Sequence, residues 1–487
     1  MNIAIIAYIL GWILKIEGAL MCLPFAVGLL YREFECVSFL GVGAFCVLLG
    51  VLLTWKKPKN LVFYSRDSFV AVALSWIVLS VFGSMPFVFN GDIPNPVNAL
   101  FETISGFTTT GASILNDIEA LSHCSLFWRS LTHWVGGMGI LVFLLAVLPM
   151  TGGSRMHLMR VESPGPSVGK LVPKVRYTAM ILYALYIVMT VLEMILLLAA
   201  GMPAFEAVTT AFGTAGTGGF AVKNTSMMGY SPAIQWIITV FMILFGVNFN
   251  AFFLILMGKW RQAAQSEEVR VYLGVIALAT LVIFLNAYQY TMSALDNLRH
   301  AMFQVAAIIT TTGFATQDFQ LWPNLSKAVL VVLMFVGACA GSTGGGIKVT
   351  RILIAGKTIK KELATYLNPR EIRKVKMDGK IVEHEVIRSV NVFLMLYAVI
   401  FTLSVFLIAL EDYDLITCFT SVATMINNVG PGLELVGPTS NFSFLSPFSK
   451  FVLMFDMLAG RLELFPMIML VYPGTWRRTN RRKKSEI

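Results

Sequence analysis

The sequence predicts an all-α polytopic membrane protein in which one unit, two spans around a short re-entrant helix, is used four times after an N-terminal two-helix hairpin. Three observations predict it. The composition is too apolar and too poor in charge for water, the basic residues gather in alternate loops, and four short Thr/Asn/Gly segments recur at similar spacing.

The chain has 487 residues, 57% hydrophobic and 13% charged, with a mean hydropathy of +0.75. Soluble domains carry about a quarter charged residues, and a helix needs about twenty apolar residues to cross a ~30 Å hydrocarbon layer. Many runs here meet that length.

A net charge of +10 points to nucleic acid only if the cations share one soluble face. Instead, 29 of the 37 Lys and Arg fall in Lys56–Arg66, Arg155–Arg176, Lys259–Arg270, Lys348–Arg388 and Arg477–Lys484. The positive-inside rule puts these loops and the C-terminus in the cytoplasm and the four Gly segments near the outer face. Of the other cations, Lys15, Arg129 and Arg461 sit in or beside apolar spans. The six cysteines form no CxxC and the five histidines no HExxH, so neither a disulfide framework nor a protein metal centre is expected. Dispersed histidines also argue against a membrane-embedded enzyme. The run Ile3–Leu30 lacks a basic leader and a small-residue cleavage site, and is expected to be a retained helix.

In chain order, the hairpin (1–60) is Ile3–Leu30 and Val37–Trp55. Unit one (61–155) reads Phe69–Phe89, the short helix Pro96–Phe107, the segment Thr108-Thr109-Thr110-Gly111 and Phe127–Pro149. Unit two (156–262) reads Met180–Ala200, Pro203–Phe212, Ala215-Gly216-Thr217-Gly218 and Ala233–Met257. Unit three (263–380) reads Val271–Tyr288, Ala294–Ile309, Thr310-Thr311-Thr312-Gly313 and Ala328–Thr350. Unit four (381–487) reads Val390–Leu410, Leu415–Ile426, Asn427-Asn428-Val429-Gly430 and Phe451–Tyr472. That makes ten spans and four half-spans.

The terminal glycines are 107, 95 and 117 residues apart, and a second-span glycine (Gly136, Gly246, Gly341, Gly460) follows each by 25 to 30 residues. Units one and three align without a gap and agree at six of thirteen positions from Ala99 and Ala301.

The short helices cannot span, and non-helical backbone at membrane depth is tolerated only when buried in protein or lining water. Four of them imply a shared aqueous axis. Helix C-termini directed at that axis favour a cation, and a closing glycine allows positive φ, so that consecutive carbonyls replace an ion's water shell. The segments hold no Asp or Glu, which suits a monovalent ion better than a divalent one.

Unit three carries a second anomaly, Gly337-Ala338-Cys339-Ala340-Gly341-Ser342-Thr343-Gly344-Gly345-Gly346-Ile347-Lys348, inside its second span. So many glycines cannot hold a straight helix. Three readings stand: a movable gate, close helix packing, or a phosphate loop, the last spoiled by Ile347 before Lys348. A gate is expected in this quadrant only. Arg461, ten residues into the last span, is either a cation barrier below the segments or a bridge between helices; Glu463 is badly placed to pair with it on one helix, and carbonyls of the loop are the alternative. His133 and Trp134 are expected to anchor a span at the membrane interface. Lys15 and Glu17 are unexplained.

These stretches, with Gly218-Gly219-Phe220, Thr310-Thr311-Thr312-Gly313-Phe314, Ala340–Lys348, Gly460-Arg461-Leu462-Glu463-Leu464-Phe465 and Glu162–Pro166, resemble the Trk/Ktr/HKT superfamily of potassium transporters, and within it the Trk-type membrane subunits. The resemblance implies four M1-P-M2 potassium-channel-like repeats in pseudo-fourfold symmetry. It implies K⁺ held in a filter at Thr109, Thr110, Gly111, Gly216, Thr217, Gly218, Thr311, Thr312, Gly313, Asn428, Val429 and Gly430. It further implies an intramembrane gate from Ala338 to Lys348, the arginine Arg461 beneath the filter, and a homodimer in the lipid of the cytoplasmic (inner) membrane. A cytosolic nucleotide-binding RCK subunit of the TrkA type is the implied partner, the nucleotide sitting on that subunit only. Relatives that pass sodium have Ser for the first filter glycine; Gly111 therefore favours potassium. A sodium- or proton-coupled symporter and a non-conducting receptor or scaffold remain the alternative functions.

Overall fold

The computed structural model describes residues 2–58, 65–139, 175–287, 293–370 and 373–476, so the basic loop 155–176 lies outside the described residues up to 174, as do Glu162–Pro166 and the tail from 477. Helix dominates what is described, with one two-stranded hairpin, Lys376–Met377 and Lys380–Ile381, between the last helix of unit three and the first of unit four.

The N-terminal hairpin is Ile3–Leu20 and Cys22–Tyr31, broken at Met21, packed on Cys36–Thr54. Small residues let the backbones touch: a Cβ at Gly18 would strike the Gly43 carbonyl, and one at Gly50 the Gly11 carbonyl. Lys15 donates to the Thr54 hydroxyl at 2.5 Å, and Glu17 is fully buried.

The first spans of the four units are Ser65–Phe89, Val175–Ala199, Glu267–Asn286 and His384–Ala409, each of 20 residues or more. The short helices Pro96–Phe107, Ala204–Gly216, Ala294–Ile309 and Leu415–Ile426 have 12 to 16 residues. At about 1.5 Å per residue they reach about 18–24 Å, short of the ~30 Å hydrocarbon layer. Local chemistry starts them: the Asn95 side chain accepts from the Val97 and Asn98 amides with Pro96 at the first helical position, and Asp414 accepts from Thr417.

The second spans read as unbroken in units two and four, Ala233–Met257 and Phe451–Tyr472, are interrupted. Unit two's helix stops at Phe245 and resumes at Phe249, bent by 92°. Unit three's stops at Val336 and resumes at Val349. Unit four's stops at Arg461 and resumes at Phe465, with positive φ at Glu463 and Leu464. Unit one's runs from His123 to Met138, and the chain beyond Gly139 is outside the described residues. Broken helices also explain why six described helices, or seven counting the bent pair, are long and apolar enough to cross a membrane, rather than ten.

Candidate functional site

Each short helix ends in the same backbone device. An amide just past the helix end bonds five residues back: Thr110 to Ser105 (2.9 Å), Gly218 to Gly213 (2.9 Å), Thr312 to Ala307 (2.8 Å) and Val429 to Thr424 (2.8 Å). The residue before each of these is left-handed, with φ of 55°, 55°, 58° and 55° at Thr109, Thr217, Thr311 and Asn428. This is the Schellman termination, normally built on glycine. Three threonines and an asparagine hold it here at a cost of order 1–3 kcal/mol each, a strain that persists only where surroundings enforce it.

A glycine of positive φ follows each turn: Gly111 (78°), Gly219 (81°), Gly313 (80°) and Gly430 (97°). A Cβ on any of them would run into the carbonyl oxygen of the next quadrant: Gly111 into Gly218, Gly219 into Thr312, Gly313 into Val429, Gly430 into Thr110. The four segments therefore close a ring, one to two to three to four and back, with backbone against backbone.

That register corrects unit two. The residues equivalent to Thr109-Thr110-Gly111 are Thr217-Gly218-Gly219, not Gly216-Thr217-Gly218, and Gly216 is the last residue of its helix. The spacing of ring glycines becomes 108 and 94 across unit two, from positions 111, 219 and 313. In unit three the second-span glycine is likewise Gly337, the fourteenth residue from the helix start, as Gly136 and Gly460 are in theirs; Gly341 lies in the loop.

Polar side chains brace the ring from behind. Thr108 and Thr110 hydroxyls pair at 2.8 Å, as do Thr310 and Thr312. Asn428 donates to Thr110 Oγ1 (3.0 Å) and the Met457 carbonyl (2.9 Å), joining quadrants four and one. Glu102, fully buried, accepts from the Ile114 amide (3.0 Å), Ser113, and Arg129 Nε (2.9 Å), while Arg129 also reaches the Ala221 carbonyl (3.3 Å) in unit two. His133 is fully buried between Gly106 and Phe220, away from the surface an interface anchor would occupy, and Trp134 stacks on Tyr186.

The unit-three loop lies against this ring, touches units two, three and four, and is linked to unit one through Arg461. The Gly345 amide donates to Thr311 Oγ1 (2.7 Å), and a Cβ at Gly345 would strike the Asn427 carbonyl. Cys339 donates to the Gly246 carbonyl (3.1 Å) and Phe249 to the Gly341 carbonyl (3.0 Å), so the loop is pinned into the bend of unit two. Ala338, Cys339, Ala340 and Thr343 are buried; Lys348 bonds back to the Gly344 carbonyl within the loop. Arg461 donates to the Thr343 carbonyl (2.8 Å) and to the Gly136 and Gly137 carbonyls (2.5 and 2.7 Å) at the end of unit one's second helix. It is both a cation below the ring and a bridge between helices. Glu463 pairs instead with Arg351.

Glu268 was not legible as a site residue: it accepts from the Ala340 amide (2.5 Å), the Thr350 hydroxyl and Asn248 (3.3 Å), holding the loop to unit three's first span. Only a conspicuous acid at a span's inner end marks it in the sequence. Beside Arg461, Lys348 and the loop glycines lies a cavity of about 70 Å³. Among the described residues no three His, Cys, Asp or Glu stand together as metal ligands. The arrangement places a ring of backbone next to a glycine-rich loop that carries Lys348 and is held by Arg461.

A family of cation transport proteins, TrkH, matches residues 37–474. The chain is similar to the Trk system potassium uptake protein TrkH of Salmonella typhimurium, 36% identical over 98% of this chain and 100% of the relative. TrkG of Escherichia coli, also a Trk system potassium uptake protein, is 31% identical over 98% and 99%. The crystal structure of the potassium transporter TrkH from Vibrio parahaemolyticus superposes with a TM-score of 0.88 at 32% identity, over 98% of this chain and 100% of that one. A multi-pass membrane protein rather than an enzyme, the chain belongs to the TrkH family of cation transport proteins.

Proposed function

We propose that the protein takes up potassium across the cytoplasmic membrane, the ion passing through the ring and past the loop beneath it. One observation carries this reading: four left-handed turns, each followed by a positive-φ glycine, close a carboxylate-free ring of backbone. Such a ring suits a weakly hydrated monovalent cation, and the relatives' potassium names support the choice of ion. The filter is Thr109-Thr110-Gly111, Thr217-Gly218-Gly219, Thr311-Thr312-Gly313 and Asn428-Val429-Gly430.

The loop from Ala338 to Lys348 is the gate, and Arg461 raises the electrostatic barrier under the filter while tying the loop shut. The membrane potential, at about 2.3 kcal/mol per charge per 100 mV, drives uptake without coupling to Na⁺ or H⁺. The basic loops face the cytoplasm, where a nucleotide-binding RCK-type subunit meets the surface from Val349 to Glu383 of a homodimer. Rescue of growth at low external K⁺ in a cell lacking potassium uptake tests the reading; no rescue by membrane-inserted protein with its cytosolic partner present overturns it. Gly111→Ser tests the filter, since an unchanged K⁺ over Na⁺ preference removes that segment from the selective site.

A further inference from the structure

We infer that His133 is a positioning residue of the ring: its imidazole supplies in quadrant two the support that paired threonines supply in quadrants one and three, and thereby sets ion selectivity there. This deepens the potassium reading and rests on it.

Quadrant two lacks its own brace. The positions of Thr108 and Thr110, whose hydroxyls pair at 2.8 Å, are occupied there by Gly216 and Gly218. With Gly219 they make Gly216-Thr217-Gly218-Gly219 the most permissive backbone of the four. Yet the Gly218 carbonyl is the one that meets Gly111 and closes the ring between quadrants two and one.

His133 fills the gap from the second span of unit one. Its Nδ1 lies 2.7 Å from the Gly106 carbonyl, and the Phe220 amide donates to its Nε2 at 3.1 Å. A carbonyl only accepts, so Nδ1 carries the proton and the Nε2 lone pair takes the amide: one neutral tautomer satisfies both quadrants. The ring stacks on Phe220 at 4.1 Å. Phe220 directly follows the ring glycine Gly219, so these contacts hold the outer end of that segment.

Gly218 explains itself by the same contact. It is not among the positive-φ residues, so its conformation does not demand glycine. Its space does: a Cβ there would enter the imidazole at Cγ, Cδ2 and Nδ1. Thr, Thr and Val stand at this position in the other quadrants, where no histidine intrudes. A role in plain packing alone predicts that any apolar side chain of similar size serves as well.

The experiment uses the purified full chain in phosphatidylethanolamine/phosphatidylglycerol vesicles, with K⁺ and Na⁺ fluxes measured separately. His133→Leu fills the space but makes neither hydrogen bond, and should lower the K⁺ to Na⁺ flux ratio about tenfold, the worth of two lost bonds. His133→Gln can still donate to Gly106 and accept from Phe220, and should stay within about threefold of wild type. Gly218→Ala, with the imidazole in place, should lower K⁺ flux about tenfold or more by overpacking.

A wild-type ratio in folded His133→Leu protein overturns the inference, as does His133→Gln falling as far as Leu, or wild-type flux in Gly218→Ala. If His133→Leu does not fold, the other two variants decide. Wild-type vesicles that take up no K⁺ fail differently: they remove the potassium reading, and this inference with it.

Discussion

The ring and the loop beneath it are in contact but are built on opposite plans. The ring repeats one backbone device four times, and its closure depends on glycines meeting carbonyls with little left to side chains. The loop hangs from side chains distant in sequence: Thr311 and Glu268 of its own unit and Arg461 of unit four. A side chain added at any ring glycine meets the next quadrant's carbonyl and opens the whole ring, whereas a loop on separate polar ties can be released tie by tie. On the function proposed above, selectivity belongs to the symmetric part and control to the asymmetric part.

Gly219→Ala gives the largest expected effect and strikes the ring alone. Alanine at φ of 81° against the Thr312 carbonyl adds strain of order 1–3 kcal/mol before any collision. Potassium uptake should fall roughly 100-fold or more, about 1.4 kcal/mol per tenfold, in protein that still inserts. Uptake near wild type would break the claim that unit two shares the backbone device, and would return the register to Gly218.

Arg461→Gln strikes the loop and should act with the opposite sign. Three carbonyls lose a charged donor; even one such bond, about 1.5–3 kcal/mol, shifts a closed state about tenfold toward open. Partner-free vesicles should show faster K⁺ flux with the K⁺ to Na⁺ ratio retained. A lost ratio would mean that Arg461 supports the ring and that the two regions are not separable. Glu463→Gln, which frees Arg351 from the break in unit four, should raise flux less, about threefold, since the pair is partly exposed to water.

How much of this the sequence discloses depends on whether the cue is local. Pro96–Phe107, Ala294–Ile309 and Leu415–Ile426 are read to the residue, because an apolar helix pattern ends there in Thr or Asn and a glycine follows. The glycine-rich loop of unit three is equally plain. Unit two's register is ambiguous because Gly218 and Gly219 are adjacent, and only φ separates them. The break of unit four lies in Leu462-Glu463-Leu464, whose composition suits a helix; the contact that accompanies it, Glu463 with Arg351, comes from over a hundred residues away. His133 and Glu268 escape for the same reason: their partners are 87 and 72 residues distant, and no motif joins them.

The smallest expected effect lies outside both regions, where the N-terminal hairpin meets unit one. Glu33, in the turn before Cys36, accepts from the His123 and Cys124 amides (2.7 and 3.0 Å) and from the His123 ring, capping the second span from another part of the chain. Partial burial pushes the carboxyl up, but these hydrogen bonds outweigh it and hold it below its ordinary value. A lowered native carboxyl stabilises above the ordinary carboxylate range, and that contribution is lost as pH falls through the native value. Glu33→Gln should therefore cost about 1 kcal/mol or less at neutral pH, a helix-cap effect reduced by solvent, and thermal unfolding of wild type and variant should converge on acidification. Flux ratio and rate at neutral pH should not change, because the cap touches neither ring nor loop. A stability gap that persists in acid would make the Glu33 contact one of shape rather than charge, and an altered ratio would show that the ring depends on the hairpin as well as on its own four quadrants.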